Sequence, residues 1–394
     1  MIALERVALL LLATVGSLFM AWTVGAGSSG STPFAPAVGA NSISVMRAGF
    51  IVGILGFTGA ILQGTNVSET IGSGLIQNIT LPSIAVIITL FTAALLVIVG
   101  IFTGYPIATA FTVTGAVTGV GLALGGLPAW NTYGRIATLW ILTPFVGASV
   151  SYSIARMLNS PRLPTDVIVG ALGFLTLFVV VNMEFSVLAP PGQSQSLSSA
   201  ILSFIATTLK EPGQIGISLV LAGTGGIVLK QRHRVSDVAT ECRFLIALGC
   251  LVAFSAGATQ VGLAVGPLLP LLDEWEVPLI AILGFGGLGL LAGSWTGAPR
   301  MIKALSQDYS ALGPKRSIAS LVPSFIIAQV AVFLGVPVSF NEIIVSAIIG
   351  SGYAGENAPV SVSKMRNTIL AWIVSFCLSG AFGYSAMRVI ASIP

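Results

Sequence analysis

Two stretches of this chain place small polar groups directly after a proline inside an apolar run. One is Pro106-Ile107-Ala108-Thr109, the other Pro337-Val338-Ser339-Phe340-Asn341-Glu342. Proline suits the first turn of a helix and stops a preceding one. Each stretch therefore predicts a helix that begins within an apolar layer. Its first N–H groups have no carbonyl to bond and carry partial positive charge, which suits an anion. Such broken backbone must face protein or a water-filled cavity, because lipid cannot satisfy it. A third polar stretch, AWTVGAGSSGSTPFAPAVGAN at Ala21–Asn41, interleaves hydroxyl residues with glycine. It reads either as a linker or as an unwound segment that exposes ligand oxygens, and its recurrence near the start of each half supports the second reading. Covalent chemistry is a poor fit. Ser28 or Ser29 as a nucleophile needs a base, and the one histidine, His233, lies in the basic run Lys230–Arg234. No phosphate-cradling G-x-x-x-x-G-K-[ST] motif is present, so ATP is not the direct driver.

The elements that position these residues are membrane spans. Only 8% of the 394 residues are charged and 55% are hydrophobic, with a mean hydropathy of +0.98. That excludes a soluble domain of this size and implies an all-α polytopic membrane protein. Windows of about twenty apolar residues predict about twelve transmembrane helices, near 5–25, 43–64, 81–103, 106–125, 135–158, 165–189, 213–231, 239–258, 277–296, 316–336, 337–355 and 367–391. The net charge of +4 is topology information and not a nucleic-acid footprint. With the N-terminus outside, Arg6, Arg135, Lys210 and Arg388 fall outside and the other thirteen of the 17 lysines and arginines inside, a strong positive-inside bias. Three cysteines without motif spacing indicate packing residues and neither a disulfide framework nor a metal site.

The chain also repeats itself. GYPIATAFTVTGAVTGVGLA at Gly104–Ala123 returns as GVPVSFNEIIVSAIIGSGYA at Gly335–Ala354, an offset of 231. ILGFTGAIL at Ile54–Leu62 returns as ILGFGGLGL at Ile282–Leu290, and Gly25-Ala26 as Gly257-Ala258. The first copy opens at the first span and the second at the eighth. Seven spans is an odd number, so two inverted-topology repeats with broken helices follow. The expected division is residues 1–131 for the first repeat, 132–237 for connecting spans and a basic cytoplasmic loop, and 238–394 for the second repeat.

The order of these blocks resembles the inorganic phosphate transporter (PiT) family. That family carries a G-A-N-D-V-A-N-type signature near the start of each half and P-[IV]-S-T-T-H later in each half. Here FSAGATQVGLAVGPL at Phe254–Leu268 stands in the second signature's place, and the two proline stretches stand in the later places. GTNVSETIGSG at Gly64–Gly74, the tryptophan–proline segment Trp140–Pro144, PRMIK at Pro299–Lys303 and LGPKR at Leu312–Arg316 match as well. The resemblance implies a substrate site at Thr70, Thr109, Ser339 and Asn341. It places Ser28, Ser29, Thr259 and Gln260 near the family's cation-binding asparagine and aspartate, so both signature acids are gone. Phe111 and Glu342 stand where the family has histidine. Arg300 and Lys303 match a basic position and either attract the anion or anchor a cytoplasmic helix end.

Glu69 and Glu342 remain as intramembrane acids, which are costly and often functional, and each is a candidate proton carrier. Glu342 also closes an S-x-x-E capping box with Ser339, and the two roles are compatible. The function implied is secondary, cation-coupled symport of inorganic phosphate with Na+ or H+, without catalysis or cofactor, by a multi-pass protein of the plasma membrane with both termini outside. Its partners are then the anion, the lipid bilayer and, by resemblance, a second copy in a homodimer, with no nucleic acid. The alternatives are transport of sulfate or another tetrahedral oxyanion, and a transport-inactive membrane scaffold.

Overall fold

The computed structural model describes residues 2–190, 193–205, 211–355 and 360–392. It is helical almost throughout. The first half runs α1 (Ile2–Val24), a π-helical turn (Gly25–Ser29), α2 (Ala35–Gly39), α3 (Val45–Gln63), α4 (Thr65–Ser73), α5 (Ser83–Thr103), α6 (Thr109–Ala123) and α7 (Trp130–Leu158). The middle holds α8 (Thr165–Asn182), α9 (Leu197–Ile205) and α10 (Glu211–Val235). The second half runs α11 (Asp237–Val265), α12 (Leu269–Leu272), α13 (Leu279–Thr296), α14 (Ala298–Gln307), α15 (Pro314–Leu334), α16 (Phe340–Tyr353) and α17 (Val362–Ala391). Two short ribbons complete the chain. β1 (Ile76–Gln77) pairs with β2 (Leu127–Pro128), and β3 (Glu184–Phe185) with β4 (Gln195–Ser196).

Every one of the twelve expected windows holds a helix, but only ten helices among the described residues are long and apolar enough to cross a membrane. The exceptions are α6 and α16, of 15 and 14 residues. At 1.5 Å per residue they reach roughly 22 Å, short of a hydrocarbon core of about 30 Å. The missing length is extended backbone. Gly104 and Gly335 adopt left-handed φ of +71° and +63°, a conformation that costs other residues a Cβ clash. Each glycine ends the preceding long helix and turns the chain back, and the next four residues run down to the start of the short helix.

The two hairpins made in this way, α5–α6 and α15–α16, have tips at opposite ends of the molecule. Gly104 accepts a hydrogen bond from Lys364 Nζ at 3.1 Å, and Lys364 also pairs with Asp308, which lies ahead of α15. Gly335 follows the far end of α15, where Asn66 Nδ2 donates to Val332 O at 3.3 Å.

The copies exchange partners. α17 of the second half packs along α6 of the first, and α7 of the first packs along α16 of the second. Trp140 Nε1 on α7 donates to Pro337 O at 2.9 Å, while Trp372 Nε1 on α17 donates to Pro106 O at 2.8 Å. A side chain at Gly119 would collide with the Gly380 carbonyl, and one at Gly350 with the Ala148 carbonyl. These are the same two contacts, crossed. α7 and α17 thus make matching contacts, each with the short helix of the opposite half.

Leu95, Val99 and Phe102 on α5, Ile141 and Phe145 on α7, and Ile373 and Phe382 on α17 form an exposed apolar belt. Large exposed aliphatic and aromatic side chains in such numbers suit a lipid-facing surface. The basic run Lys230–Arg234 is not a loop but the last turns of α10, where His233 Nε2 lies 3.2 Å from Glu241 and Arg234 Nε 2.6 Å from Asp166. Lys210, expected outside, lies beyond the described residues.

Candidate functional site

The starts of α6 and α16 meet at the centre of the bundle. Thr112 N is the first N–H of α6 to find a carbonyl, that of Ala108, and Ile343 N is the first of α16, on Ser339 O. The N–H groups of residues 109–111 and 340–342 have no carbonyl one turn earlier, as expected for helix starts. Two amide side chains clamp the starts together. Asn341 Nδ2 donates to Ile107 O at 2.7 Å and to Gly27 O at 3.1 Å. Gln260 of α11 accepts from Thr109 Oγ1 at 2.8 Å and donates from Nε2 to Val338 O at 2.6 Å. Each clamp joins one half to the other.

Ser28 completes this cluster from the π-helical turn. Its Oγ lies 3.5 Å from Thr109 Oγ1, and its carbonyl accepts from the N–H groups of Ser31 and Thr32. Ser28, Thr109, Gln260, Ser339 and Asn341 are all buried.

The distribution of unpaired atoms is uneven. Among the described residues six buried side-chain oxygens or nitrogens lack a partner, and Ser339 Oγ, Asn341 Oδ1 and Glu342 Oε2 are three of them. An unsatisfied buried polar group costs about 1–3 kcal/mol, so three within four residues mark a place that a ligand completes. Glu342 is 2% exposed. The expected capping box is not formed. Ser339 is the N-cap of α16 but makes no side-chain capping bond, and its hydroxyl stays free.

Several expected site residues lie elsewhere. Thr259 Oγ1 turns back onto Ser255 O and Ala256 O in its own helix, because its neighbour Gln260 takes the facing position. Ser29 is buried near the cluster, but its hydroxyl is directed to Val24 O at 3.4 Å. Thr70 donates to Asn66 O within α4. Glu69 is exposed on the wall of a separate cavity of about 1060 Å³ that reaches the surface between α4, α8, α13 and α15. Thr70 lies against the turn at Gly335, where its Oγ1 would be 3.3 Å from an added Cβ, and not at the start of α16. Arg300 lies over the Phe102 ring at 5.6 Å, and Lys303 is exposed. Phe111, the counterpart of Glu342, stacks on Trp140 with centroids 3.8 Å apart. Trp372 was the residue that sequence reasoning missed. Its spacing of 232 from Trp140 was the available signal.

Comparison with known proteins agrees with this architecture. A model of the Phosphate transporter family matches residues 11–383. A putative phosphate permease of Pyrococcus abyssi is 26% identical, with 97% of this chain and 98% of that protein covered. A putative phosphate permease of Chlamydia pneumoniae is also 26% identical over 91% of this chain and 92% of its own length. The chloroplastic inorganic phosphate transporter 2-1 of Arabidopsis thaliana is 24% identical over 91% of this chain and 68% of its own length. A solved structure titled the sodium-dependent phosphate transporter superposes with a TM-score of 0.78 at 22% identity, covering 98% of this chain and 100% of that one. The duplicated broken helices and the family match over nearly the whole length lead to one assignment: this chain belongs to the phosphate transporter family.

Proposed function

We propose that the chain is a secondary transporter that carries inorganic phosphate across the plasma membrane together with a cation. The observation that carries this reading is the combination of donors and an orphaned acceptor at one buried point. The free N–H groups of two helix starts and the unpaired hydroxyl of Ser339 suit the oxygens of an anion. Asn341 Oδ1 lacks a partner and, as an amide oxygen that can only accept, suits a substrate that also donates. Hydrogen phosphate brings an O–H, whereas sulfate only accepts. The unpaired acceptor therefore favours phosphate over sulfate.

Glu342 assigns the coupling. A bare carboxylate beside a phosphate dianion repels it, while the protonated acid donates a hydrogen bond to it. Phosphate and a proton on Glu342 then stabilise each other and cross together. Sodium is the alternative coupling ion, with Ser28, Asn341 and backbone carbonyls as its oxygens. The two hairpins, entering from opposite ends, form the inverted pair whose rocking gives alternating access. Both termini lie outside in this reading.

The test is uptake of radiolabelled phosphate into proteoliposomes under separately imposed proton and sodium gradients, with unlabelled sulfate as competitor. Proton-driven flux that disappears in Glu342→Gln, with phosphate exchange retained, supports the proposal. Sodium-driven flux in both proteins reassigns the coupling ion. Flux of sulfate alone rejects the substrate, and no flux of any oxyanion rejects transport.

A further inference from the structure

A basic hollow lies at the end of the bundle where α7 ends and α15 begins. Arg156 from the last turn of α7, Arg162 from the α7–α8 connection and Arg316 from the first turn of α15 line one cavity of about 800 Å³. Its far wall is Ala354-Gly355, just past the end of α16. Gly355 is pressed against the Arg316 guanidinium so closely that a side chain there would overlap it.

The acids near this face are engaged elsewhere. Asp166 holds Arg234, Glu241 holds His233 and Asp308 holds Lys364. None of the three arginines has a carboxylate partner among the described residues, and Glu356 lies outside them. The positive-inside rule explains basic residues on this face. It does not explain why three guanidinium groups from separate elements surround one hollow.

We infer that this cavity is a binding site for a phosphate-bearing anion larger than inorganic phosphate. The guanidinium fork matches phosphate oxygens two at a time. The volume falls in the range of about 300–1,000 Å³ usual for small-molecule sites, so it accommodates two or more phosphates, or one on an organic body. The opposite cavity, at the other ends of α8 and α15, carries Glu69 and Glu184 and no basic residue. The basic character is therefore local. An occupant bridges the α7–α8 connection to the open end of the α15–α16 hairpin. It thereby ties the hairpin that carries Ser339, Asn341 and Glu342 to a helix of the other repeat. The ligand is either a soluble polyphosphate compound or the headgroup of an anionic phospholipid.

The full chain in neutral detergent is titrated with sodium tripolyphosphate by calorimetry. In parallel, nanodiscs of phosphatidylcholine with and without phosphatidylglycerol are used, and retained lipid is read by native mass spectrometry. Binding in either arm is expected to weaken at least about tenfold in the double variant Arg156→Gln/Arg162→Gln, and to be unchanged in Ser339→Ala at the central site. Both arginines are exposed, so folding should survive, and a thermal unfolding midpoint checks it. Arg316→Gln is a second variant, kept separate because Arg316 also donates to Ala311 O at 2.9 Å. Arginine-dependent tripolyphosphate binding identifies a soluble ligand, and arginine-dependent retention of phosphatidylglycerol identifies a lipid. Absence of binding in both arms, binding unaffected by the arginine changes, or binding lost only in Ser339→Ala overturns the inference.

Discussion

The two broken-helix starts have the same backbone and opposite chemistry. At the first, Thr109 is paired with Gln260 and Phe111 is stacked on Trp140. At the second, Ser339, Asn341 and Glu342 each keep an unpaired oxygen. Both follow a left-handed glycine, and both have their proline carbonyl held by a tryptophan from the other repeat. One frame thus occurs twice, with the side chains of the first start paired within the protein and those of the second incomplete without a ligand. Function should be more sensitive at the second start, while stability should respond equally at both.

The largest effect tests that asymmetry at its centre. Asn341→Leu removes both carbonyl bonds and the free acceptor, and phosphate uptake at subsaturating substrate is expected to fall roughly a hundredfold, since two or three hydrogen bonds of about 1–1.5 kcal/mol are lost. Thr109→Val at the first start removes one such bond, and a drop of about tenfold is expected in the same assay. Equal losses would end the argument for unequal roles.

Next is Glu342→Gln, which keeps the shape and removes the titration. Proton-driven uptake should disappear and the retained phosphate exchange should become independent of pH, whereas Phe111→Leu should leave the pH profile unchanged. A pH profile shared by Glu342→Gln and the unmodified protein would remove Glu342 as the carrier.

The remaining tests concern the shared frame. Gly119→Ala and Gly350→Ala each drive a methyl into a backbone carbonyl of the other repeat and should destabilise by about 1–3 kcal/mol, to a similar extent. Trp140→Phe and Trp372→Phe each lose one hydrogen bond to a proline carbonyl and should cost about 1 kcal/mol. Thermal unfolding in detergent measures all four, and a large difference within either pair would show that the frame is not equivalent.

The broken helices were legible because their causes are local. Gly104, Pro106, Gly335 and Pro337 act on their own backbone, and the spacing of 231 joins them. Apolar windows also located every long helix. What the sequence could not reveal depends on side-chain direction and on partners far along the chain. Thr259 and Gln260 are adjacent, yet a helix turns about 100° between neighbours, so only Gln260 reaches the cluster. Ser339 and Glu342 have capping-box spacing, but the bond is not made. Glu69 resembles a site residue in type, while α4 holds it at a different cavity. The crossing of α7 and α17 between the halves has no local signature at all.

That crossing sets the order in which the protein can be made. As α6 leaves the ribosome it has α5 beside it, but its long partner α17 begins only at Val362. The first broken start, with its bare N–H groups, thus waits for most of the intervening chain to be made before Trp372 covers Pro106. Neither half can mature as an independent insertion unit, and the translocation machinery must shelter an unfinished hairpin until the 30-residue α17 arrives. Loss of α17 would therefore be expected to send the whole chain to membrane quality control rather than leave a working first half.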